Sequence, residues 1–399
     1  MVSEWQSQLD AKIDRLLNDV EFIKNRTSTY LGRNEALTYL ADETPIFVNT
    51  DDFGCPVNFL NGGRYEEEYF SVLLSFKRPG ATFLDIGANL GVYSLRMAQY
   101  LRTGRIHAFE PIERIRNLFS RSVFLNGLGG IIKLYPYAAS DRDGEAKLSI
   151  PSEHAGGASL EAAGETLKSE LVPLRKLDDL MSEDFTCELI KLDVEGHELH
   201  ALLGMRRIIE RSPECLVMFE KLAENSGIEA AMLTYFESLD RKIYSIEGTT
   251  LSTVDLELFR AKGGYFVAGR PERVESGGCQ RNFLDVYPAD LNVLQGNLRG
   301  GVLHVRGIAP KGTVLFHGPY WFLPRGYYRL TIEGKITGSF QLDVCERFGY
   351  KVSELALHSG RNSIDFPIYR DLSKFELVLR SDDGTSHFEM SKIRVTRLS

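Results

Sequence analysis

Short apolar runs that stop abruptly at carboxylates or glycines recur through the middle of the chain: Phe83-Leu84, closing on Asp85-Ile86-Gly87; His107-Ala108-Phe109, closing on Glu110; and Ile190-Lys191-Leu192, closing on Asp193. Ile131 to Ala139 and Leu216 to Phe219 follow the same habit, ending near Asp141 and at Glu220. Such runs predict buried parallel strands whose carboxyl ends open into a ligand crevice, with Val92 to Tyr100 as the helix after the first of them. A different pattern opens the chain. Leu9, Ile13, Leu16, Val20 and Ile23 alternate spacings of four and three among charged residues, which predicts a short coiled-coil helix over residues 1–30 that assembles the chain into a homo-oligomer. A third pattern closes it. Beyond Arg270, short alternating runs such as Val302 to Val305, Tyr327 to Ile332 and Phe375 to Leu379, parted by Gly, Pro, Asn and Asp, predict a jelly-roll-like β-sandwich of about eight strands over 293–399. Residues 271–292, containing Ser276-Gly-Gly278, read as a linker that docks in part through Phe283, Leu284 and Tyr287.

The glycine turn after the first strand carries the first chemical signal. Gly87 and Gly91 permit a tight turn with close backbone approach, and the helix start behind them presents free N–H groups to an anionic or carboxylate-bearing ligand. A dinucleotide fits poorly, because the spacing is Gly-x-x-x-Gly and Asp85 precedes the first glycine, where its charge opposes a pyrophosphate. An aspartate there suits a ligand ammonium. Glu110 ends the next strand, about 20 residues on, where an acidic side chain accepts from ribose hydroxyls. An amino acid joined to a ribose points to S-adenosylmethionine.

These residues resemble the FkbM-type methyltransferases. The resemblance runs through Asp85-Ile-Gly-Ala-Asn-Leu-Gly-Val-Tyr-Ser94, Phe109-Glu-Pro111, Ala138-Ala-Ser-Asp141, Lys191-Leu-Asp-Val-Glu-Gly-His-Glu198 and Leu216-Val-Met-Phe-Glu220, with Gly62-Gly-Arg-Tyr-Glu66 as a lead-in. It covers roughly residues 50–270 and implies a Rossmann-like class I methyltransferase domain over 31–270, an α/β fold with a mostly parallel seven-stranded sheet. It also implies O-methylation of a hydroxyl on a sugar, glycan or glycolipid acceptor. Cofactor contacts then fall on Asp85, Gly87, Ala88, Asn89, Gly91, Tyr93, Glu110, Pro111, Asn126 and Asp141, the last near the adenine amine. Ser122 departs from the asparagine expected in the helix that ends at Asn126.

Moving a methyl group to an alcohol requires in-line positioning and a proton acceptor. Asp193 is the first choice for that acceptor. Glu195 and Glu220 are placed to orient neighbouring sugar hydroxyls, Lys191 to keep one carboxylate ionised, and His154, in a small-residue loop, as a substrate contact or alternative base. Glu198 reads as a solvent-facing residue on the helix beginning near His197. The carboxylates suit magnesium or calcium in kind, but no spacing dictates a coordination shell, so no metal is predicted.

Composition narrows the alternatives. A net charge of -8 and a pI near 5.6 argue against nucleic acid as the main partner. Cys55, Cys187, Cys215, Cys279 and Cys345 are widely spaced and contain no Cys-x-x-Cys pair, which fits reduced thiols in a cytoplasmic protein. No transmembrane segment or signal peptide is expected, and peripheral contact with lipid-linked material stays open. Phe316-His-Gly-Pro-Tyr-Trp-Phe-Leu-Pro324 offers rings either for stacking on sugars or for filling the sandwich and its boundary. Two rival readings are an NAD(P)-dependent oxidoreductase and a non-catalytic glycan-binding scaffold.

Overall fold

The computed structural model describes residues 27–398 and, before them, Lys12, Leu16 and Val20; residues 53, 55, 57–58, 60–62, 152–156, 161–167, 223–226, 277, 279, 308–309, 347–348, 360–361 and 383–385 lie outside the described residues. Leu9, Ile13 and Ile23 of the N-terminal seam, and His154, are therefore outside them as well. Leu16 and Val20 are helical and exposed.

An antiparallel three-stranded sheet comes first: β1 (Thr29–Gly32), β2 (Glu35–Tyr39) and β3 (Pro45–Asn49). Helix α1 (Glu67–Ser75) leads into the central sheet, whose first half consists of β4 (Thr82–Ile86), α2 (Val92–Tyr100), β5 (Arg105–Phe109), α3 (Glu113–Leu125) and β6 (Ile132–Tyr135). A small sheet of β7 (Ala138–Ala139), β8 (Gly144–Ile150) and β9 (Lys168–Arg175) follows. The chain then returns to the central sheet with β10 (Leu189–Leu192), α4 (Glu198–Gly204), β11 (Leu216–Lys221), β12 (Lys242–Glu247), β13 (Thr250–Thr253) and β14 (Gly264–Gly269).

The central sheet has eight strands, in the order β13-β12-β14-β11-β10-β4-β5-β6. Neighbours from β6 through β11 are parallel, whereas β14 runs antiparallel to both β11 and β12, and β13 closes one edge as a hairpin with β12. The sheet is thus mostly parallel, with one strand more than the seven expected. The Tyr244↔Thr253 to Glu247↔Thr250 hairpin supplies it. Chain direction along the sheet reverses between β4 and β10, a switch point at which crossover helices leave in opposite directions and a crevice opens beyond the strand ends. Phe83, Leu84, Ile86, Leu189, Ile190 and Leu192 are fully buried there, as the apolar runs require of strands covered on both faces.

The C-terminal region is a two-layer β structure. One layer joins Asn297–Arg299, Val302–Gly307, Ser386–Arg397, Gly326–Thr337 and Ser363–Ile368, with Phe283–Val286 paired onto Ser386–Arg397; the other joins Asn292–Val293, Val314–Leu323, Leu372–Ser381, Ser339–Glu346 and Tyr350–His358. The strand Phe283–Val286, inside the stretch read as a linker, is wholly buried, because Phe283, Leu284 and Val286 pack into the core. Most of the aromatic run fills the interior: Phe316, Trp321 and Phe322 are buried, and the Tyr100 ring of α2 lies tilted against that of Trp321 at 5.2 Å. Lys77 also reaches this boundary, pairing with Asp290 at 2.7 Å beneath the Trp321 ring. Both partners are almost fully buried, so breaking the pair would strand a charge in the core and cost about 3 to 5 kcal/mol. No described helix is long and apolar enough to cross a membrane.

Candidate active site

The switch point holds a cavity with about 870 Å³ of empty space, walled by the ends of β4, β5 and β10, the starts of α2 and α3, and the β7–β8 region. Its floor is backbone. Gly87 and Gly91 adopt left-handed φ values of 73° and 82°. A Cβ on Gly87 would lie 1.8 Å from the Asp193 carbonyl oxygen, and one on Gly91 would strike the Phe119 ring at 2.1 Å. A side chain at Gly87 would collide with backbone and one at Gly91 would have to displace the Phe119 ring, so the turn keeps this shape only with glycine at both positions.

Glu110 forms the next part of the wall. Its Oε2 accepts from the Asn89 backbone N–H at 2.9 Å and its Oε1 from the Ile112 N–H at 2.8 Å. These bonds lock the carboxylate against the glycine turn while each oxygen keeps a lone pair for a ligand hydroxyl. Burial pushes its pKa up to about 7, against the opposing pull of those N–H donors. Ala88, Asn89, Tyr93 and Pro111 line the same cavity, and Ile112, Ile115, Tyr137, Leu148 and Leu160 give it an apolar side suited to a flat ring.

Asp85 does different work from that expected. It is buried and absent from the cavity wall; its Oδ2 accepts from the Ser94 hydroxyl at 2.6 Å and the Ser94 N–H at 3.1 Å, which ties β4 to the first turn of α2. Its Oδ1 has no hydrogen-bond partner, and burial raises its pKa.

The opposite end of the cavity is built from side chains. Lys191 donates to Asp193 Oδ2 at 2.8 Å and to the Gly87 carbonyl at 3.3 Å. Burial alone would lower its pKa, but Asp193, Asp85 and Glu66 outweigh that and hold the ammonium above its ordinary value. Tyr265 of β14 donates to the same Asp193 Oδ2 at 2.7 Å. Burial would raise Asp193, yet Lys191 and hydrogen bonds from Glu220 and Tyr265 bring it below the ordinary carboxylate value, while Glu220, buried beside that charge, is raised. Glu195 has a left-handed φ of 52°, a strained backbone for a non-glycine residue. Burial and its neighbours Asp193 and Glu198 push its pKa up to about 7. Among the described residues, Asp193, Glu195 and Glu220 each bring one carboxylate oxygen within 4.8 Å of the others.

Three expectations need correction. Asn126 caps the end of α3, donating to the Ser122 and Pro45 carbonyls, and does not reach the cavity wall. Asp141 turns to His200 at 3.0 Å, and its pKa is lowered there, although the preceding Ala138 and Ala139 do line the cavity. Glu198 is buried, not solvent-facing: its Oε1 accepts from the Val194 and Gly196 N–H groups and shapes the turn after Asp193. Sequence reasoning missed the roles of Glu66 and Tyr265. Glu66, at the start of α1, accepts from the Tyr93 hydroxyl at 2.8 Å and faces Lys191 and Asp193. Its signal lay in the lead-in segment; Tyr265 had none apart from the register that sets it beside Glu220.

A sequence model of the methyltransferase FkbM domain matches residues 85–246. The AMB antimetabolite synthetase AmbE of Pseudomonas aeruginosa is 30% identical over 164 aligned residues, 32% of this chain; the match spans only 8% of that protein's length. Solved structures that resemble the fold include a precorrin-6y C5,15-methyltransferase from Geobacter metallireducens (11% identity, 51% of this chain and 88% of that one, TM-score 0.31). An S-adenosylmethionine-dependent O-methyltransferase from Thermotoga maritima (14%, 52% and 66%, TM-score 0.31) and an S-adenosylmethionine-dependent methyltransferase from Agrobacterium tumefaciens (13%, 61% and 72%, TM-score 0.33) are others. Similarities this distant carry no argument beyond themselves. The glycine cradle, the doubly anchored Glu110 and the apolar slot fit the carboxylate, ribose and adenine of S-adenosylmethionine. The domain match favours methyl transfer over the oxidoreductase reading. Residues 85–246 thus carry the likeness to a methyltransferase FkbM domain, and the cavity they wall has a form that suits S-adenosylmethionine.

Proposed function

We propose that the chain methylates a hydroxyl oxygen of a sugar, glycan or glycolipid acceptor. The observation that carries this reading is the group of Asp193, Glu195 and Glu220 beside the glycine cradle, because several carboxylates converging on one point suit neighbouring hydroxyls of a polyol. S-adenosylmethionine, when bound, supplies an electrophilic methyl group on a sulfonium. The protein's own task is to aim the acceptor oxygen and take its proton.

Asp193 accepts the hydroxyl's hydrogen bond and sets its direction. It is a weak base, since Lys191 and Tyr265 already donate to Oδ2 and keep it ionised. Glu195, with its pKa near 7, is better matched to receive the proton, and Glu220 holds a second hydroxyl. Glu195 would receive the O–H proton as the acceptor oxygen takes the methyl group that bound S-adenosylmethionine would supply.

The test is transfer of labelled methyl from S-adenosylmethionine to a panel of methyl glycosides and glycolipids, with products read by mass spectrometry. O-methylated sugar is expected, with turnover rising through about pH 7 as Glu195 loses its proton, and Glu195→Gln is expected to lose that limb. Methyl transfer confined to amine acceptors would sink the reading. Self-association through residues 1–30 belongs to the same proposal, supported by the exposed seam positions Leu16 and Val20. The double variant Ile13→Asp/Val20→Asp should be monomeric by light scattering, and an unchanged mass would rule the seam out.

A further inference from the structure

We propose that Tyr265 is a positioning residue for methyl transfer, one that fixes the orientation of the Asp193 carboxylate through Oδ2. The proposal rests on the reading that Asp193 meets the acceptor.

A carboxylate held by one donor can pivot about its Cβ–Cγ bond. Two donors on the same oxygen, from different directions, restrict that freedom, and the hydrogen bond between Glu220 and Asp193 restricts it further. Lys191 approaches from β10, two residues before Asp193, at 2.8 Å; Tyr265 approaches from β14, on the far side of β11, at 2.7 Å. The register that pairs Glu220 with Tyr265 puts the ring directly beside the third carboxylate of the group. Tyr265 is buried, and its ring packs 4.6 Å from that of Tyr69, so packing restricts the ring that carries the hydroxyl. Burial and the nearby Asp193 hold the phenol well above its ordinary pKa, which keeps it a donor at any working pH.

The groups that face Asp193 are Lys191, Glu220, Glu195, Glu198, Glu66 and Asp85, together with Tyr265. Of these, only Lys191 is cationic. Removing the Tyr265 hydroxyl takes away a donor that favours the charged carboxylate, so the Asp193 pKa should rise.

Tyr265→Phe keeps the ring and deletes the donor. With aspartate labelled at Cγ, and the Asp193 signal assigned by its loss in Asp193→Asn, carbon-13 NMR should show the Asp193 resonance displaced at neutral pH and any titration moved to higher pH. Calorimetry with S-adenosylhomocysteine should give an affinity within about twofold of wild type. Turnover should fall about tenfold or more with the KM for S-adenosylmethionine unchanged, the usual scale for losing a group that orients a reacting one. Tyr69→Phe, whose hydroxyl makes no bond to Asp193, serves as the control. An undisturbed Asp193 resonance, an equal disturbance in Tyr69→Phe, or wild-type turnover in Tyr265→Phe would each overturn the proposal. So would a collapse of the melting temperature, which would make the hydroxyl a support of the fold. The NMR arm needs no acceptor, so it can succeed or fail independently of the sugar reading.

Discussion

The two ends of the cavity are made in different ways. At the cofactor end, backbone sets the shape: Gly87 and Gly91 make the turn, the Asn89 and Ile112 N–H groups hold Glu110, and the polar part of the wall lies between Gly87 and Ile112, with Tyr137, Leu148 and Leu160 adding an apolar side. At the acceptor end, side chains do it: Lys191 of β10, with Asp193 and Glu195 in the turn after it, line the cavity, and Glu66 just before α1, Glu220 of β11 and Tyr265 of β14 interact with them from other elements. A site built from one stretch of backbone tolerates little change in shape. A site built from several elements can change its chemistry one residue at a time, which is how a shared cofactor domain serves different acceptors.

The two ends meet at Gly87, whose carbonyl accepts from Lys191 and whose missing Cβ leaves room for the Asp193 carbonyl. Gly87→Ala should therefore produce the largest effect and erase the distinction. Its Cβ has nowhere to go but into backbone, and its φ of 73° is unfavourable for alanine. We expect destabilisation of about 3 kcal/mol or more, seen in chemical denaturation, with loss of S-adenosylhomocysteine binding. A variant that still bound the ligand normally would mean that the turn is not the floor of the site.

Asp193→Asn should sharpen the comparison by damaging only one end. Asparagine keeps the size and the acceptor for Lys191 and Tyr265 but loses the charge. S-adenosylhomocysteine affinity should hold while turnover falls about 100-fold or more. Equal losses in binding and turnover would show that the two ends are one functional unit.

The same contrast explains what could be read from the sequence. The cradle, Glu110 and the strand-end carboxylates were legible because each lies at the junction of an apolar run and a polar turn, a local signal. Asn126 and Asp141 were misplaced because a residue near the right strand can turn elsewhere: Asn126 completes its own helix, and Asp141 has His200 within reach. Glu198 was read as exposed because a carboxylate on a helix start normally is, but here the turn after Asp193 needs an acceptor for two N–H groups. Tyr265 could not be found at all. Its role depends on the pairing of β14 with β11, and no local pattern states which strands will be neighbours. The eighth strand was missed for the same reason, whereas the burial of the aromatic run near Trp321 was one of the two readings its composition allowed.

Glu110→Ala gives the smallest of these effects and tests the cofactor end alone. The carboxylate is more than 20 residues along the chain from the glycine turn yet bonded to it, so its loss removes the ribose acceptor and also loosens Asn89. Hydrogen bonds to a charged acceptor contribute about 1.5 to 3 kcal/mol, which sets the expected loss of S-adenosylhomocysteine affinity at roughly 10- to 150-fold by calorimetry. Protonation should mimic the substitution. Because burial raises the Glu110 pKa to about 7 in the ligand-free protein, affinity in the wild type should weaken as pH falls below 7, while the alanine variant should show less of that dependence. The raised pKa also has a sign for stability: the neutral form is the one that burial tolerates, so this group's contribution to folding is fully present below its unfolded value near 4.5 and is lost as pH rises through 7. Ligand binding and folding should thus draw opposite benefits from ionising the same carboxylate. If affinity were flat with pH in the wild type and fell equally in the variant, the ribose contact would be made by neighbouring backbone and not by Glu110.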